Sequence, residues 1–131
     1  MQGTKICFIF AIKIKWKMNL ENTKAQMRKG VLEFCILSIL SEQEAYVSDI
    51  INKMKDAKLI VVEGTLYPLL NRLKNEGVLD YRWEESKSGP PRKYYKITPQ
   101  GQTILKELSD SWYELLSSVN SIIAIKSSEI N

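Results

Sequence analysis

The pattern that most constrains the fold is a repeat of apolar side chains in the C-terminal part of the chain. These residues recur at steps of three and four: Leu105, Leu108, Trp112, Leu115, Val119 and Ile122. The spacing predicts a long helix from Pro99 to about residue 126 with a coiled-coil seam, which Leu116 and Ile123 widen. Roughly 28 residues at ~1.5 Å each extend about 40 Å, more than a small domain can cover. The seam therefore predicts a second copy of the chain as partner, and packing on the chain's own first helix is the alternative.

The segments before this helix alternate between helical and strand-like patterns. Apolar residues at helical spacing predict three helices, over residues 25–40, 46–55 and 63–76. Gly77 stands where the third helix should end. Residues rich in β-formers predict two strands, over 78–83 and 92–97. The predicted fold class is mainly α with a small β-hairpin, a winged helix-turn-helix followed by a long C-terminal helix.

Turn and cap residues sharpen the boundaries of the hairpin. The tip of the hairpin is predicted over residues 84–91, where Gly89-Pro90-Pro91 should form a narrow loop that cannot continue the strand pairing. Thr98 is predicted to cap the final helix, with Pro99 at its first helical position.

The first 17 residues do not resemble the rest of the chain. Ile6 to Ile12 is an apolar run between lysines, far short of the roughly 20 residues that a membrane span needs. A signal peptide is an alternative, although no small-residue cleavage site follows the run. The favoured interpretation is that translation begins at Met18. The predicted organisation is an extension outside the fold at 1–24, a DNA-binding domain at 25–98 and a dimerisation helix at 99–127.

The net charge does not by itself indicate a DNA-binding protein, and the composition argues against an enzyme. The net charge of +4 comes from the N-terminal end, since residues 1–29 hold seven basic and one acidic residue while the rest hold twelve and fourteen. The chain has no histidine, the commonest general base and metal ligand. Cys7 and Cys35 lack metal or redox spacing and suit a reducing compartment. We therefore expect no catalytic residues, no metal and no cofactor, no association with membranes, and a cytoplasmic location.

The third helix carries polar side chains opposite its leucine face. The candidates for contact with DNA are Thr65, Tyr67, Asn71, Arg72 and Lys74. Asn pairs well with adenine and Arg with guanine, whereas hydroxyls and Lys suit phosphates. An ordinary solvated helix face is an equally good interpretation of this helix taken alone.

The hairpin favours the interpretation that the protein binds DNA. Lys87, Arg92 and Lys93 are candidates for phosphate contacts, with no acidic residue between Ser86 and Thr98. A charged hairpin tip is common in proteins without nucleic-acid partners. A basic wing beside a polar second helix is nevertheless typical of binding to double-stranded DNA, with the helix in the major groove.

Residues 64–105 resemble the PadR family of bacterial transcriptional regulators. The resemblance rests on GTLYPLLNRLKNEG in the third helix and RKYYKITPQG in the second strand and beyond. It implies a homodimeric repressor that binds a palindromic operator. A small-molecule signal releases the repressor from the DNA. One departure stands out, because Val62 and Glu63 replace the Ser-Pro pair that usually precedes Gly-Thr in the family. Glu63 suits the helix dipole but would lie near phosphates.

The same resemblance implies a ligand site on the final helix. In multidrug-sensing members a tryptophan there stacks planar aromatic compounds, and Trp112 is similar, with Val31 and Cys35 as neighbours. The favoured interpretation is that Trp112 is a packed seam residue. The main functional alternative is a winged-helix interaction module that dimerises without binding DNA, and an enzyme is the remote one.

Overall fold

The computed structural model describes residues 19–130, and the side chains of residues 19–124. The chain divides into two compact units, residues 1–32 and 33–131. The expectations about Ile6 to Ile12 and the start at Met18 fall outside the described residues, and the domain boundaries stay predictions. Within the described part, no helix combines the length and apolar character needed to span a bilayer.

The first predicted helix is two helices in the structure. Residues 19–29 form helix α1, and α2 runs from Leu32 to Glu42. The expectation of one helix over 25–40 is therefore wrong at Gly30 and Val31, which form a turn. Glycine in a helix interior costs about 1 kcal/mol relative to alanine. The N–H of Val31 bonds the carbonyl of Arg28, three residues back, and this tightened bond ends α1.

Three helices and both strands of the hairpin contribute to the core of the second unit. Helix α3 spans Val47–Asp56 and helix α4 spans Glu63–Asn75. Each helix buries one apolar face. The buried core includes Ile36, Leu37 and Leu40 of α2, Val47, Ile50 and Met54 of α3, and Leu66, Leu70 and Leu73 of α4. Leu79 and Tyr95 of the hairpin complete this core.

The end of α4 follows the prediction. Gly77 adopts a positive φ of 78°, and the N–H of Val78 bonds the carbonyl of Leu73 at 2.9 Å. This is the bonding of a glycine-terminated helix, in which the left-handed residue lets the chain reverse. Strand β1 then begins two residues later, at Leu79.

The hairpin is longer than predicted. Strand β1 spans Leu79–Ser86 and β2 spans Gly89–Ile97, so only Lys87 and Ser88 form the turn. The prediction that Gly89-Pro90-Pro91 lies in a loop is wrong. An irregularity in register between Glu84 and Ser86 lies opposite the two prolines, where a missing N–H costs no ladder bond.

The last helix, α5, spans Pro99–Ile130 and begins as predicted. The Thr98 hydroxyl accepts a bond from the N–H of Gly101 at 3.0 Å, which confirms Thr98 as the N-cap. The same hydroxyl lies 2.7 Å from the Gly77 carbonyl oxygen. A Cβ on Gly101 would lie 2.2 Å from the carbonyl oxygen of Val78, so glycine is required for this close approach.

Candidate nucleic-acid interface

Helix α4 has two polar flanks that meet different parts of the domain. On one flank, Nη2 of Arg72 donates to Oε1 of Glu33, in the first turn of α2. On the other flank, Nζ of Lys74 lies 5.7 Å from the ring centre of Tyr81 in β1. Between these flanks the surface of α4 faces solvent and carries Gly64 and Asn71. The exposed surface of α4 is therefore bounded by α2 on one side and the hairpin on the other.

One face of the hairpin carries an aromatic and cationic cluster. Register pairs Tyr81 with Tyr95 and Trp83 with Lys93. The ammonium of Lys93 lies 4.5 Å from the ring centre of Tyr81 and 5.5 Å from that of Trp83. Such cation–aromatic contacts hold the charge in place without neutralising it. Lys93 therefore presents a positioned positive charge on this face.

The opposite face is fastened to the start of α3. The Tyr46 hydroxyl donates to Oε2 of Glu84 at 2.8 Å, and the Tyr46 ring packs edge-on against Tyr94 at 4.7 Å. Accepting this bond, Glu84 raises the pKa of Tyr46. The guanidinium of Arg92 lies 5.4 Å from the Tyr46 ring centre. The consecutive tyrosines Tyr94 and Tyr95 thus have separate roles, the first in fastening and the second in the core.

The Tyr95 hydroxyl is the one buried side-chain polar atom of the described residues without a hydrogen-bond partner. The Tyr95 side chain is 1% exposed. Burial, followed by the neighbouring Tyr67 and Tyr81, raises its pKa. The hydroxyl therefore stays neutral throughout the physiological range.

A cleft of about 480 Å³ lies between the starts of α3 and α4 and the hairpin. Its lining comprises Tyr46, Val47, Ser48, Glu63, Tyr67, Trp83, Pro91, Arg92 and Lys93. Three predicted residues, Tyr67, Arg92 and Lys93, thus come together. Sequence reasoning missed Tyr46 and Trp83. Alternation along β1 puts Trp83 on the face of Tyr81, and the register of the hairpin then places it opposite Lys93.

The remaining candidates lie outside this cleft lining. Thr65, Asn71 and Lys74 are exposed on α4, and Lys87 is exposed in the turn of the hairpin. Arg72 bonds Glu33 on the far flank, away from the hairpin. The structure thus spreads the predicted residues over α4, the turn of the hairpin and β2.

Two groups of cations differ in how they are balanced. Arg72 pairs with Glu33, and Arg82 lies 3.4 Å from Glu44 and 3.8 Å from Glu84. Within residues 19–124, four of the candidate DNA contacts pair with no carboxylate: Lys74, Lys87, Arg92 and Lys93. The same holds for cations elsewhere, such as Lys55, Lys96 and Lys106. The four candidates can attract phosphates without first breaking an ion pair.

Comparison with known proteins shows the family to which the chain belongs. The sequence profile of the transcriptional regulator PadR-like family matches residues 36–107. The chain belongs to this PadR-like family. The matched span includes α3, α4 and the whole hairpin, so the resemblance predicted from the sequence is confirmed.

Solved PadR-like structures agree with the fold. A PadR-like transcription factor from Bacteroides fragilis is 61% identical, with a TM-score of 0.66, over 77% of this chain and 98% of its own. A family member from Eggerthella lenta is 30% identical, with a TM-score of 0.76, over 84% and 96%. A regulator from Bacillus cereus is 41% identical, with a TM-score of 0.67, over 75% and 96%. The winged helix with a long C-terminal helix is thus the shared architecture.

The start of α4 in this PadR-like chain shows the effect of the Val62–Glu63 departure. Val62 has the extended backbone of an N-cap, but its side chain forms no capping hydrogen bond. Val62 is also exposed, as is Ile60 before it. The first turn of α4 therefore lacks the side-chain cap that Ser or Thr supplies.

The predicted seam of α5 changes character along its length. Leu105, Leu108 and Trp112 are half-buried, whereas Leu115 and Ile122 are 56% and 70% exposed. Val119 is exposed as well. The first half of the seam is thus partly covered within the chain, and the second half presents apolar surface to solvent.

The residues predicted to bind a ligand are placed as follows. Trp112 is half-buried on α5, and Val31 lies in the turn before α2. Cys35 lines a largely apolar groove of about 360 Å³ together with Phe34, Ile39 and Met54. Burial raises the pKa of the Cys35 thiol. The grouping of these three residues into one ligand site stays a prediction.

Proposed function

We propose that this PadR-like protein is a homodimeric regulator that binds specific sites in double-stranded DNA. It acts as a repressor, and a small-molecule signal releases it. The family of transcriptional regulators to which the chain belongs supports a role in gene control. The finer features rest on the surface of α4, the hairpin and α5.

The observation that carries the DNA proposal is the group of unbalanced cations around α4 and the hairpin. Lys74, Lys87, Arg92 and Lys93 flank the exposed face of α4 without carboxylate partners in the described chain. Basic groups of this kind displace the counterions of DNA, which gives affinity. Thr65, Tyr67 and Asn71 then supply hydroxyl and amide contacts to phosphates and base edges.

The exposed half of the α5 seam supports a homodimer. Leu115, Val119 and Ile122 are apolar, exposed and spaced as in a coiled coil. A twofold partner would cover them and would repeat α4 and the wing on a second half-site. The operator is then palindromic. Leu105, Leu108 and Trp112 extend the same seam towards the domain.

A planar aromatic compound is the proposed class of releasing ligand. Trp112 offers an indole face on which such a compound would stack, with Val31 and Cys35 as further candidates. A packed seam without a cavity is the alternative for Trp112. Titration of the Trp112→Ala variant and the unaltered protein with a planar cationic dye would separate the two, because only a stacking site loses affinity on substitution.

The test of function is fluorescence anisotropy of the protein on DNA from immediately upstream of its own gene. A scrambled duplex of equal composition serves as the control, and both are titrated at several salt concentrations. The proposal predicts tight binding to the upstream duplex, weaker binding to the scrambled one, and a steep dependence on salt.

The same experiment separates the proposed function from the alternative. Weak and equal binding to both duplexes would be followed by selection of binding sites from random-sequence DNA. If no sequence is enriched, the protein is not a sequence-specific regulator, and the interaction module that dimerises without DNA becomes the better explanation.

A further inference from the structure

Arg72 is the one predicted DNA contact whose charge is already balanced by a carboxylate. Its Nη2 donates to Oε1 of Glu33, and the Glu33 side chain is only 27% exposed. The Arg72 side chain is 57% exposed, so the pair is a surface ion pair with one partly covered partner. Moving Arg72 to a base edge would leave Glu33 without its partner.

The packing around α4 determines how far the bond between Arg72 and Glu33 can affect the orientation of the helix. The helix is held from below by three leucines, Leu66, Leu70 and Leu73. These leucines are at most 4% exposed, so their close packing against the core limits how far the helix can lift or rotate. Val62 forms no side-chain cap at the first turn. The polar contacts on the two flanks act together with this packing on the rotation of the helix.

Rotation of α4 matters because its exposed residues point away from the axis. Side-chain tips lie about 6 Å from the axis of a helix. A rotation of about 20° thus moves them by about 2 Å, which exceeds the tolerance of roughly 0.5 Å of a preorganised binding site. Contacts of Asn71 with base edges would be lost, whereas contacts of long Lys side chains with phosphates would adapt.

We propose that Glu33 is a positioning residue for DNA recognition, which fixes the rotation of α4 through Arg72. In the complex, Arg72 stays on Glu33 and does not read a base. The inference rests on the proposed function and deepens it, because it assigns to α2 control over which sequence α4 can recognise.

The experiment compares Glu33→Gln with the unaltered protein on two duplexes. One is the site that the unaltered protein selects from random-sequence DNA, and the other is its scrambled counterpart. Glu33→Gln should lower the ratio of the two affinities about two- to fivefold, in the range of an exposed ion pair. The salt slope should stay unchanged, because no phosphate contact is lost.

Two further variants show that the effect passes through Arg72. In an Arg72→Gln background, Glu33→Gln should change the affinity ratio no further, which is the coupling that a double-mutant cycle measures. Lys74→Gln, on the opposite flank, is the matched control for the loss of one charge from α4. It should flatten the salt slope on both duplexes, whereas Arg72→Gln should not.

Thermal unfolding and circular dichroism identify any variant that fails to fold. Glu33→Asp is a second variant, which keeps the negative charge that Glu33→Gln removes. Tighter binding of Glu33→Gln on both duplexes with a steeper salt slope would overturn the inference, since Arg72 would then have been released to a phosphate. An unchanged affinity ratio would overturn it as well. If the unaltered protein selects no site, the proposed function fails, and the inference falls with it.

Discussion

Single residues at the base of the hairpin connect α4, β1 and α5. Gly77 turns the chain out of α4, and the Thr98 hydroxyl approaches the Gly77 carbonyl while capping α5. Gly101 lets the first turn of α5 lie against the Val78 carbonyl. These short contacts between local motifs set where the long helix leaves the domain.

Substitution of Gly101 should destabilise the fold strongly. An alanine Cβ would lie 2.2 Å from the Val78 carbonyl oxygen and 2.6 Å from a side-chain carbon of Ile97. Overpacking against backbone costs about 1–3 kcal/mol or more. Urea unfolding of Gly101→Ala should show this loss in the free energy of unfolding.

The matched control is Gly64→Ala, because no atom lies within 4 Å of a Cβ at that position. Alanine is the better helix former, so this variant should unfold at an equal or higher urea concentration. Equal stabilities of the two variants would show that the close approach at Gly101 is absent in solution.

The thiol of Cys35 should react slowly. Burial raises its pKa in the folded state, so less thiolate is present at pH 8 than in the unfolded chain. In a Cys7→Ser variant, alkylation of the native protein by iodoacetamide should reach its half-maximal rate at a higher pH than alkylation in urea.

The raised pKa of Cys35 also determines how the free energy of unfolding depends on pH. The contribution of the neutral thiol to this free energy is complete below the unfolded thiol pKa of about 8.5–9, and it is lost as the pH rises above that value. Identical alkylation profiles with and without urea would contradict the burial of the thiol.

At the scale of elements, the hairpin is fixed on both faces before any ligand binds. Tyr46 fastens the outer face through Glu84, and Tyr95 anchors the inner face in the core. Ala45 and Tyr95 also exchange two backbone hydrogen bonds, at 2.9 and 3.0 Å. The cations of β2 are therefore carried on a rigid element.

Removal of the two wing cations should weaken binding to every duplex. Arg92→Ala with Lys93→Ala should reduce the salt slope by about two, since each phosphate contact contributes roughly 0.9. Anisotropy titrations at several salt concentrations measure this slope. The ratio of affinities for the selected and scrambled duplexes should change little, because phosphates carry no sequence information.

Arg82→Ala is the control from the same hairpin. Its guanidinium already lies near Glu44 and Glu84, so its removal should leave the salt slope unchanged. An equal decrease in slope for Arg82→Ala would mean that balanced and unbalanced cations contribute alike, and the distinction between the two groups would fail.

At the scale of the whole molecule, α5 presents apolar surface that the described chain leaves in solvent. The exposure begins beyond Trp112 and includes Leu115, Val119 and Ile122. An apolar stripe at heptad spacing is stable in water when a second helix covers it. This exposed stripe supports the proposed dimerisation through α5, which would explain a palindromic operator.

Charges on the seam should separate the dimer without unfolding the domain. Leu115→Asp with Ile122→Asp alters only exposed positions, so each chain should keep its fold while light scattering reports a monomer. Specific DNA binding should weaken more than tenfold because two half-sites are no longer bound together. Ser117→Asp, on the opposite side of α5, should remain dimeric. A dimer in the doubly substituted protein would place the interface elsewhere.

The sequence by itself determined the local structure of this protein. Apolar spacing defined α3, α4 and α5, Gly77 and Thr98 marked boundaries, and the motif in residues 64–105 identified the family. These signals are carried by neighbours along the chain, where hydrogen bonding and backbone preferences act over a few residues. The break at Gly30 was missed because glycine only weakens a helix and does not forbid it.

The tertiary structure decided which side chains each polar face contacts. Periodicity assigns Arg72 and Lys74 to opposite flanks of α4, but only packing brings Glu33 to one and Tyr81 to the other. Strand alternation separates Tyr94 from Tyr95, and only the core decides which is buried. Strand pairing likewise makes Pro90 and Pro91 part of β2. Such outcomes depend on contacts between residues far apart in the chain, which no local pattern encodes.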